Sequence, residues 1–473
     1  MSTPQVPSGP HEPAPDEPPN DDGAQEVAGP PSGIGRVISL VPEGTFSVGA
    51  GLMVAGVTTY GFQILAFRGL SKPNYAALNA LWVFVFVLAP GVFLPLEQEV
   101  GRALAARRVR NVGGGPVVRR AGVLGLAFAI LITVAIIVMS LTTHIVHNKF
   151  NGHVGLVICL IISLFTFGIE YLARGAFAGM GRFPAYGLSL AAEGIIRLLP
   201  CVPLALAGVT NPFWYGLCLA LPPLFATFIA LYGQKGLVDP GPSAPYSELS
   251  TNLGYLLGGS MLAQVLSYAP FIGAQVLAKG PVQRAAVADF AVGLFLSRIP
   301  ILLFQAVQAA LLPKLSTLVT EGRDDDYRKG VRQLVLIVVG IGALGVIVGG
   351  TIGPFAGRIL FGQKFNLGNA DVALLALGSG LFILALVLSQ ALISLHGHRQ
   401  AMVAWFLGIV AFIATVGVIL HPLFFRVEMG SIAGAGISAL AMGLFFLRRL
   451  SRGVEAGSLA SLVEQIEYGT LEI

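Results

Sequence analysis

The sequence predicts an all-α integral membrane protein: twelve transmembrane helices in two parallel six-helix repeats around a central cavity, with N- and C-termini cytoplasmic. Three observations carry this. The 473 residues are 55% hydrophobic and only 11% charged, against about 25% charged in soluble domains, and apolar runs of about 20 residues recur after residue 45. Lys and Arg crowd alternate loops. The third observation is an internal repeat. The net charge of +5 therefore reads as loop placement and excludes a nucleic-acid footprint.

Residues 1–36 form an acidic, Pro-rich tail with too few large apolar groups to offset the entropy of ordering. It is expected to be disordered and cytoplasmic. The tail lacks the basic and apolar regions of a cleavable signal peptide, so the first helix serves as the insertion signal. Spans are expected over about 46–67, 75–95, 121–143, 154–176, 185–207, 212–232, 252–278, 287–311, 332–352, 370–394, 400–421 and 429–447. An N-lobe of six spans (45–232), a linker (233–250), a C-lobe of six spans (251–448) and a cytoplasmic tail (449–473) follow. Loops assigned inside hold Arg102, Arg107, Arg108, Arg110, Arg119, Arg120, Arg174, Arg182, Lys235, Lys314, Arg323, Arg328, Lys329, Arg332, Arg399, Arg448, Arg449 and Arg452. Loops assigned outside hold only Arg68, Lys72, Lys149, Lys279, Arg284, Arg358, Lys364 and Arg426. That bias places both termini inside and demands an even number of spans.

The repeat pairs Gly51, Met53, Ala55, Val57 and Tyr60 with Gly259, Met261, Ala263, Val265 and Tyr268, a shift of 208 residues. QILA at Gln63 matches QVLA at Gln275, Leu94-Pro95 matches Leu312-Pro313, NKFN at 148–151 matches QKFN at 363–366, and Gly181 matches Gly397. Five matches in one order define two halves of six spans, entering the membrane in the same sense. LEQEVGRALAARRVR after Pro95 and KLSTLVTEGRDDDYRKG after Pro313 read as basic amphipathic stretches along the inner surface.

Ionisable residues inside spans are the candidates for function. Arg298 lies near the middle of an apolar run, with Leu294 and Leu302 one turn away, so no carboxylate on its own helix neutralises it. Either an anionic ligand or carbonyls of another helix must meet it. Glu170 with Arg174, and Glu193 with Arg197, are spaced four apart with the acid first, as intramembrane ion pairs. Polar stripes mark a substrate-binding cavity: Ser260, Gln264, Tyr268 and Gln275 on helix seven, Thr59 and Gln63 on helix one, Arg298 and Gln305 on helix eight. The competing reading is interhelical hydrogen bonding, worth about 0.6 kcal/mol each.

Enzyme signatures are weak. GIGALG at 340–345 satisfies a dinucleotide-binding pattern but lies in an apolar span without a preceding strand. Three cysteines, Cys159, Cys201 and Cys218, all fall in apolar runs, which speaks against a disulfide framework or zinc site. His144, His147 and His153 cluster without an acidic ligand. The expectation is no catalysis, no cofactor and no metal.

The stretches PLEQEVGRALAARR, SRIPILLFQAVQAALLPKLS and RILFGQKFNLGNADVALLALGSGLFILA resemble the multidrug/oligosaccharidyl-lipid/polysaccharide exporter superfamily, especially its bacterial polysaccharide-type flippases. The likeness extends over roughly residues 45–450. It implies two six-helix lobes, an alternating-access cavity, and a lipid-pyrophosphate-linked sugar moved from the inner to the outer leaflet of the bacterial plasma membrane, in cell-surface polysaccharide biosynthesis. The implied partners are that lipid-linked sugar, membrane lipids and glycan-synthesis proteins. Alternatives are a drug/cation antiporter of the same superfamily, or a membrane scaffold or enzyme of glycan synthesis. The antiporter branch often carries a carboxylate in helix one; none lies between Thr45 and Phe67 here.

Overall fold

The computed structural model describes residues 45–245, 253–301, 324–395, 397–420 and 422–451. The 1–36 tail, Gln305 and the Leu312-Pro313 match lie outside them. All described elements are helices: α1 (Thr45–Gly69), α2 (Lys72–Val109), α3 (Gly115–Thr142), α4 (Ile145–Phe150), α5 (Val154–Gly179), α6 (Phe183–Leu198), α7 (Cys201–Leu206), α8 (Pro212–Ala220), α9 (Pro222–Leu231), α10 (Leu253–Leu277), α11 (Gly280–Leu296), α12 (Asp324–Thr351), α13 (Gly353–Phe361), α14 (Asn369–Ser394), α15 (His398–Val418) and α16 (Leu423–Ser451). Eleven described segments are long and apolar enough to cross a membrane, and the chain is a multi-pass membrane protein with the backbone bonds that hydrocarbon demands kept inside helices.

Helix α2 is the central element. It packs on α5 within the first half of the chain and on α10 and α11 of the second. Its stretch from Tyr75 to Leu96 carries no charge and is mostly buried, because neighbours surround it on several sides. Pro90 and Pro95 lie inside it. The expected end near Pro95 is therefore corrected: the helix continues to Val109, about 57 Å in all at 1.5 Å per residue, well beyond a 30 Å hydrocarbon core. Proline removes one backbone bond, and in a packed transmembrane helix neighbours make good the loss. As a result LEQEVGRALAARRVR is not a surface strip; Glu97, Glu99 and Arg107 are buried. Likewise, the DDDYRKG end of the second expected strip opens α12.

Three further spans are broken. Helix five divides at Leu199-Pro200 into α6 and α7, and helix six divides at Leu221, before Pro222-Pro223, into α8 and α9. The expected helix eight, 287–311, instead begins at Gly280 and is interrupted by a turn at Ser297-Arg298, with helix again from Ile299 to Ile301, so Arg298 stands in a break rather than inside a continuous helix; 302–311 lies outside the described residues. Two local causes act together. The Ser297 hydroxyl donates to the Leu294 carbonyl at 2.8 Å, competing with the helical pattern, and Pro300 cannot donate a backbone bond.

Each half carries a short extra helix between its third and fourth spans, α4 and α13. The matched NKFN and QKFN motifs end near these helices, and Phe150 and Phe365 are both buried. The seam between the halves is aromatic: Phe67 meets Phe361 edge-on at 5.7 Å, and Trp82 meets Phe295 at 5.4 Å. Such pairs add about 0.5–1.5 kcal/mol each beyond area burial.

Helices α1 and α6 cross with their backbones in contact. A Cβ on Gly51 would overlap the Gly187 carbonyl, and one on Gly187 would overlap the Ser47 carbonyl. Gly187→Ala is expected to destabilise the fold by about 1–3 kcal/mol, read as thermal unfolding in detergent. Gly49→Ala, with nothing within 4 Å of the new methyl, should leave the unfolding temperature unchanged or raise it.

Candidate functional site

Two polar centres flank the aromatic seam. In the second half, Arg298 lies half-buried in the turn after α11, its backbone N–H donating to the Phe295 carbonyl at 3.0 Å. Its Nη2 donates to the Ser267 hydroxyl at 3.0 Å and to the Ser267 carbonyl. The guanidinium carbon stands 4.0 Å from the centroid of the Tyr268 ring, a cation–π contact. Arg298 and Ser267 line a crevice with Leu294, Ser379, Phe382 and Ser431. Ser379 in turn is bonded to Ser297 at 3.1 Å. The crevice has room for about one water and cannot take a sugar in this state. Among the described residues, no carboxylate pairs with Arg298.

The first half holds the opposite arrangement. Arg174 Nη2 bridges Glu170 at 2.6 Å and Glu193 at 2.9 Å, and Arg197 Nη2 bonds the other oxygen of Glu193. The two i,i+4 pairs are thus joined into one chain of four charges by the Arg174–Glu193 contact, which sequence spacing does not show. Arg197 Nη1 extends the chain to Thr59 at 3.0 Å. Arg174 stands 5.3 Å from the Tyr171 ring and Arg197 5.5 Å from the Trp82 ring. A third acid, Glu97, accepts from Tyr186 at 2.6 Å. All five side chains are buried, and for the four that are ion-paired the pairing offsets desolvation costs of several kcal/mol per ion.

The remaining cavity candidates scatter. Gln63 is buried and accepts from Tyr75 at 2.9 Å, inside the first half. Ser260 donates to the Pro90 carbonyl at 3.0 Å and Gln275 to the Ala76 carbonyl at 3.4 Å, so this face of α10 fastens to α2 across the seam. Gln264 is half-buried between them in sequence. The structure brings together Arg298 with Tyr268, and Thr59 with Arg197, but the six candidates among the described residues do not share one cavity.

Three buried acids escaped sequence reasoning: Glu97, its neighbour Glu99, paired with Arg102 at 2.9 Å, and Glu428. Glu97 was hidden by the assumed helix end at Pro95. Glu428 falls in the second turn of α16, which starts at Leu423 rather than near Met429. It is 0% exposed, no cation pairs with it among the described residues, and Asp371 lies beside it, close enough for the two carboxyl groups to interact. A lone acid within LFFRVEMG is the signal that could have found it. Among the described residues, no three His, Cys, Asp or Glu side chains are grouped to hold a metal ion.

The described helices are arranged as in the fold of MATE transporters. An inward-facing multidrug resistance MATE family transporter of the MOP superfamily superposes with TM-score 0.67 at 14% identity, over 85% of this chain and 96% of that one. An outward-facing structure of such a transporter gives the same TM-score and identity over 89% and 96%, and a MATE transporter of Vibrio cholerae gives 0.62 at 13% identity over 88% and 98%. The match is equally good to either state. No family model matches the chain. Two uncharacterized proteins of Mycobacterium tuberculosis are similar in sequence: Rv1510, 24% identical over 377 residues (76% of this chain, 81% of the relative), and Rv3630, 21% identical over 408 residues (80% and 87%).

Proposed function

We propose that the chain is a transporter that moves a lipid-pyrophosphate-linked sugar from the inner to the outer leaflet of a bacterial plasma membrane by alternating access. Two six-helix lobes, 45–232 and 251–448, rock about the seam, and both termini lie in the cytoplasm. The observation that carries this reading is the contrast among the arginines at the seam. Arg174 and Arg197 are bonded to carboxylates, whereas the partners of Arg298 among the described residues are a carbonyl, a hydroxyl and a ring. An anionic headgroup can displace such neutral partners, since hydrogen bonds between charged groups are about twice as strong as neutral ones.

A sugar phosphate does not cross hydrocarbon unaided because its polar groups lose their hydrogen bonds. Thr59, Gln63, Gln264, Tyr268 and Gln275, with Gln305, supply replacements once the lobes part, and Arg298 holds phosphate. A drug/cation antiporter is the second reading, favoured by the buried Glu428 carboxylate beside Asp371. Depletion in a host bacterium separates the two. Flipping predicts that a lipid-linked sugar accumulates in the inner leaflet; sensitisation to cationic dyes with no such lipid would favour the antiporter. Loss of sugar polymerisation in detergent extracts, where leaflets do not exist, would point instead to an enzyme or scaffold.

A further inference from the structure

Three cations of the first half reach across the seam at one end of the molecule. Arg68, in the last turn of α1, donates from Nε to the Leu360 carbonyl at 2.9 Å and from Nη2 to the Ile359 carbonyl at 2.7 Å. Those carbonyls close α13, where a helix leaves its acceptors unpaired and carries partial negative charge. Lys149, beside the end of α4, donates to the Gln275 carbonyl in the last turn of α10 at 3.1 Å. Lys72, the first residue of α2, meets Asp289 of α11 at 2.7 Å. Counting helix passes from Thr45 puts all of these groups at the membrane face opposite the start of α1.

These cations do more than mark a loop as lying outside. Their partners all belong to the other half, so separating the halves at this face breaks every one of the contacts. The pairing of Lys72 with Asp289 differs from an ordinary surface salt bridge, which is screened by water and contributes little. The Asp289 side chain is only 4% exposed, against 31% for Lys72, and the Asn366 backbone N–H also approaches its carboxylate. Among the described residues Lys72 is the cation paired with the buried Asp289; pulling Lys72 away leaves that acid without a counter-charge. Lys149 is held in a related way, its pKa lowered by burial and by the nearby Arg284.

We infer that Arg68, Lys72 and Lys149 are positioning residues that latch this mouth of the seam shut, and that the Lys72–Asp289 pair sets the balance between closed and open states. The inference rests on the transporter reading only for its place in a cycle. Two of the three contacts use backbone acceptors, so Lys72–Asp289 is the contact whose charges can be exchanged.

Spin labels on Val154→Cys and Val282→Cys, both exposed positions at this face, report the opening in reconstituted full-length protein as a distance distribution. The unsubstituted latch should give one dominant short distance. Lys72→Glu should raise the long-distance population at least threefold, and Lys72→Glu with Asp289→Lys should restore the short one. An unchanged distribution in a folded Lys72→Glu protein would overturn the latch. So would a double variant as open as the single, which would mean a structural role only. Should Lys72→Glu fail to fold, Arg68→Gln is read in the same way, with the same threefold rise expected and no rise counting against the latch. Because the readout is a distance and not transport, the latch and the flipping reading fail separately.

Discussion

Replacing Arg174 by alanine is expected to lower stability by about 3–5 kcal/mol, the penalty for leaving buried charge unpaired. Arg174 is the central link of the four-charge chain. Its removal strands Glu170, which is 0% exposed, and takes one of two partners from Glu193. Thermal unfolding in detergent should show a fall of several degrees together with loss of the monodisperse peak. Arg174→Lys should fall between alanine and the parent, because an ammonium keeps the charge but loses the Nε contact to Ser189 and the position that Nη2 holds between the two carboxylates. An Arg174→Ala protein as stable as the parent would mean that the chain is dispensable to the fold.

Arg298→Ala is expected to behave in the opposite way. Its partners are Ser267 and the Tyr268 ring, and neither becomes an unpaired charge when the guanidinium is lost. Stability should therefore shift little, while leaflet exchange of a lipid-linked sugar falls about 10- to 100-fold. That range corresponds to a hydrogen bond with a charged partner worth roughly 1.5–3 kcal/mol. Measuring exchange and unfolding on the same preparation separates the two roles. A large loss of stability with exchange per folded molecule unchanged would make Arg298 a brace between α10 and α11.

The contrast between these arginines shows what could be read in advance. Hydropathy located the spans, because about 20 apolar residues have few alternatives to crossing a bilayer. The i,i+4 spacing located Glu170 with Arg174 and Glu193 with Arg197, because a helix fixes those neighbours locally. Helix ends were harder to place. Pro95 reads as a stop, yet α2 runs through it, since surrounding helices compensate for the missing donor. The break at Ser297–Arg298 depends on a serine hydroxyl competing for a backbone carbonyl, a choice hydropathy does not register. The Arg174–Glu193 link and the bonds of Arg68, Lys72 and Lys149 are tertiary; residues 19 to 292 apart in the chain meet there, and no local pattern encodes such a meeting. The candidate cavity was legible as residue types but not as geometry. Gln63 and Tyr75, for example, satisfy one another inside the first half.

The central claim is movement of an anionic lipid headgroup through the seam, and the most direct measurement is leaflet exchange in proteoliposomes. A fluorescent undecaprenyl-pyrophosphate sugar is placed in the inner leaflet and followed by its exposure to an impermeant quencher outside. The account predicts exchange at least tenfold faster with the protein than in empty vesicles, and little acceleration with Arg298→Ala. Equal rates with and without protein, across several sugars and with both membrane orientations present, would contradict it.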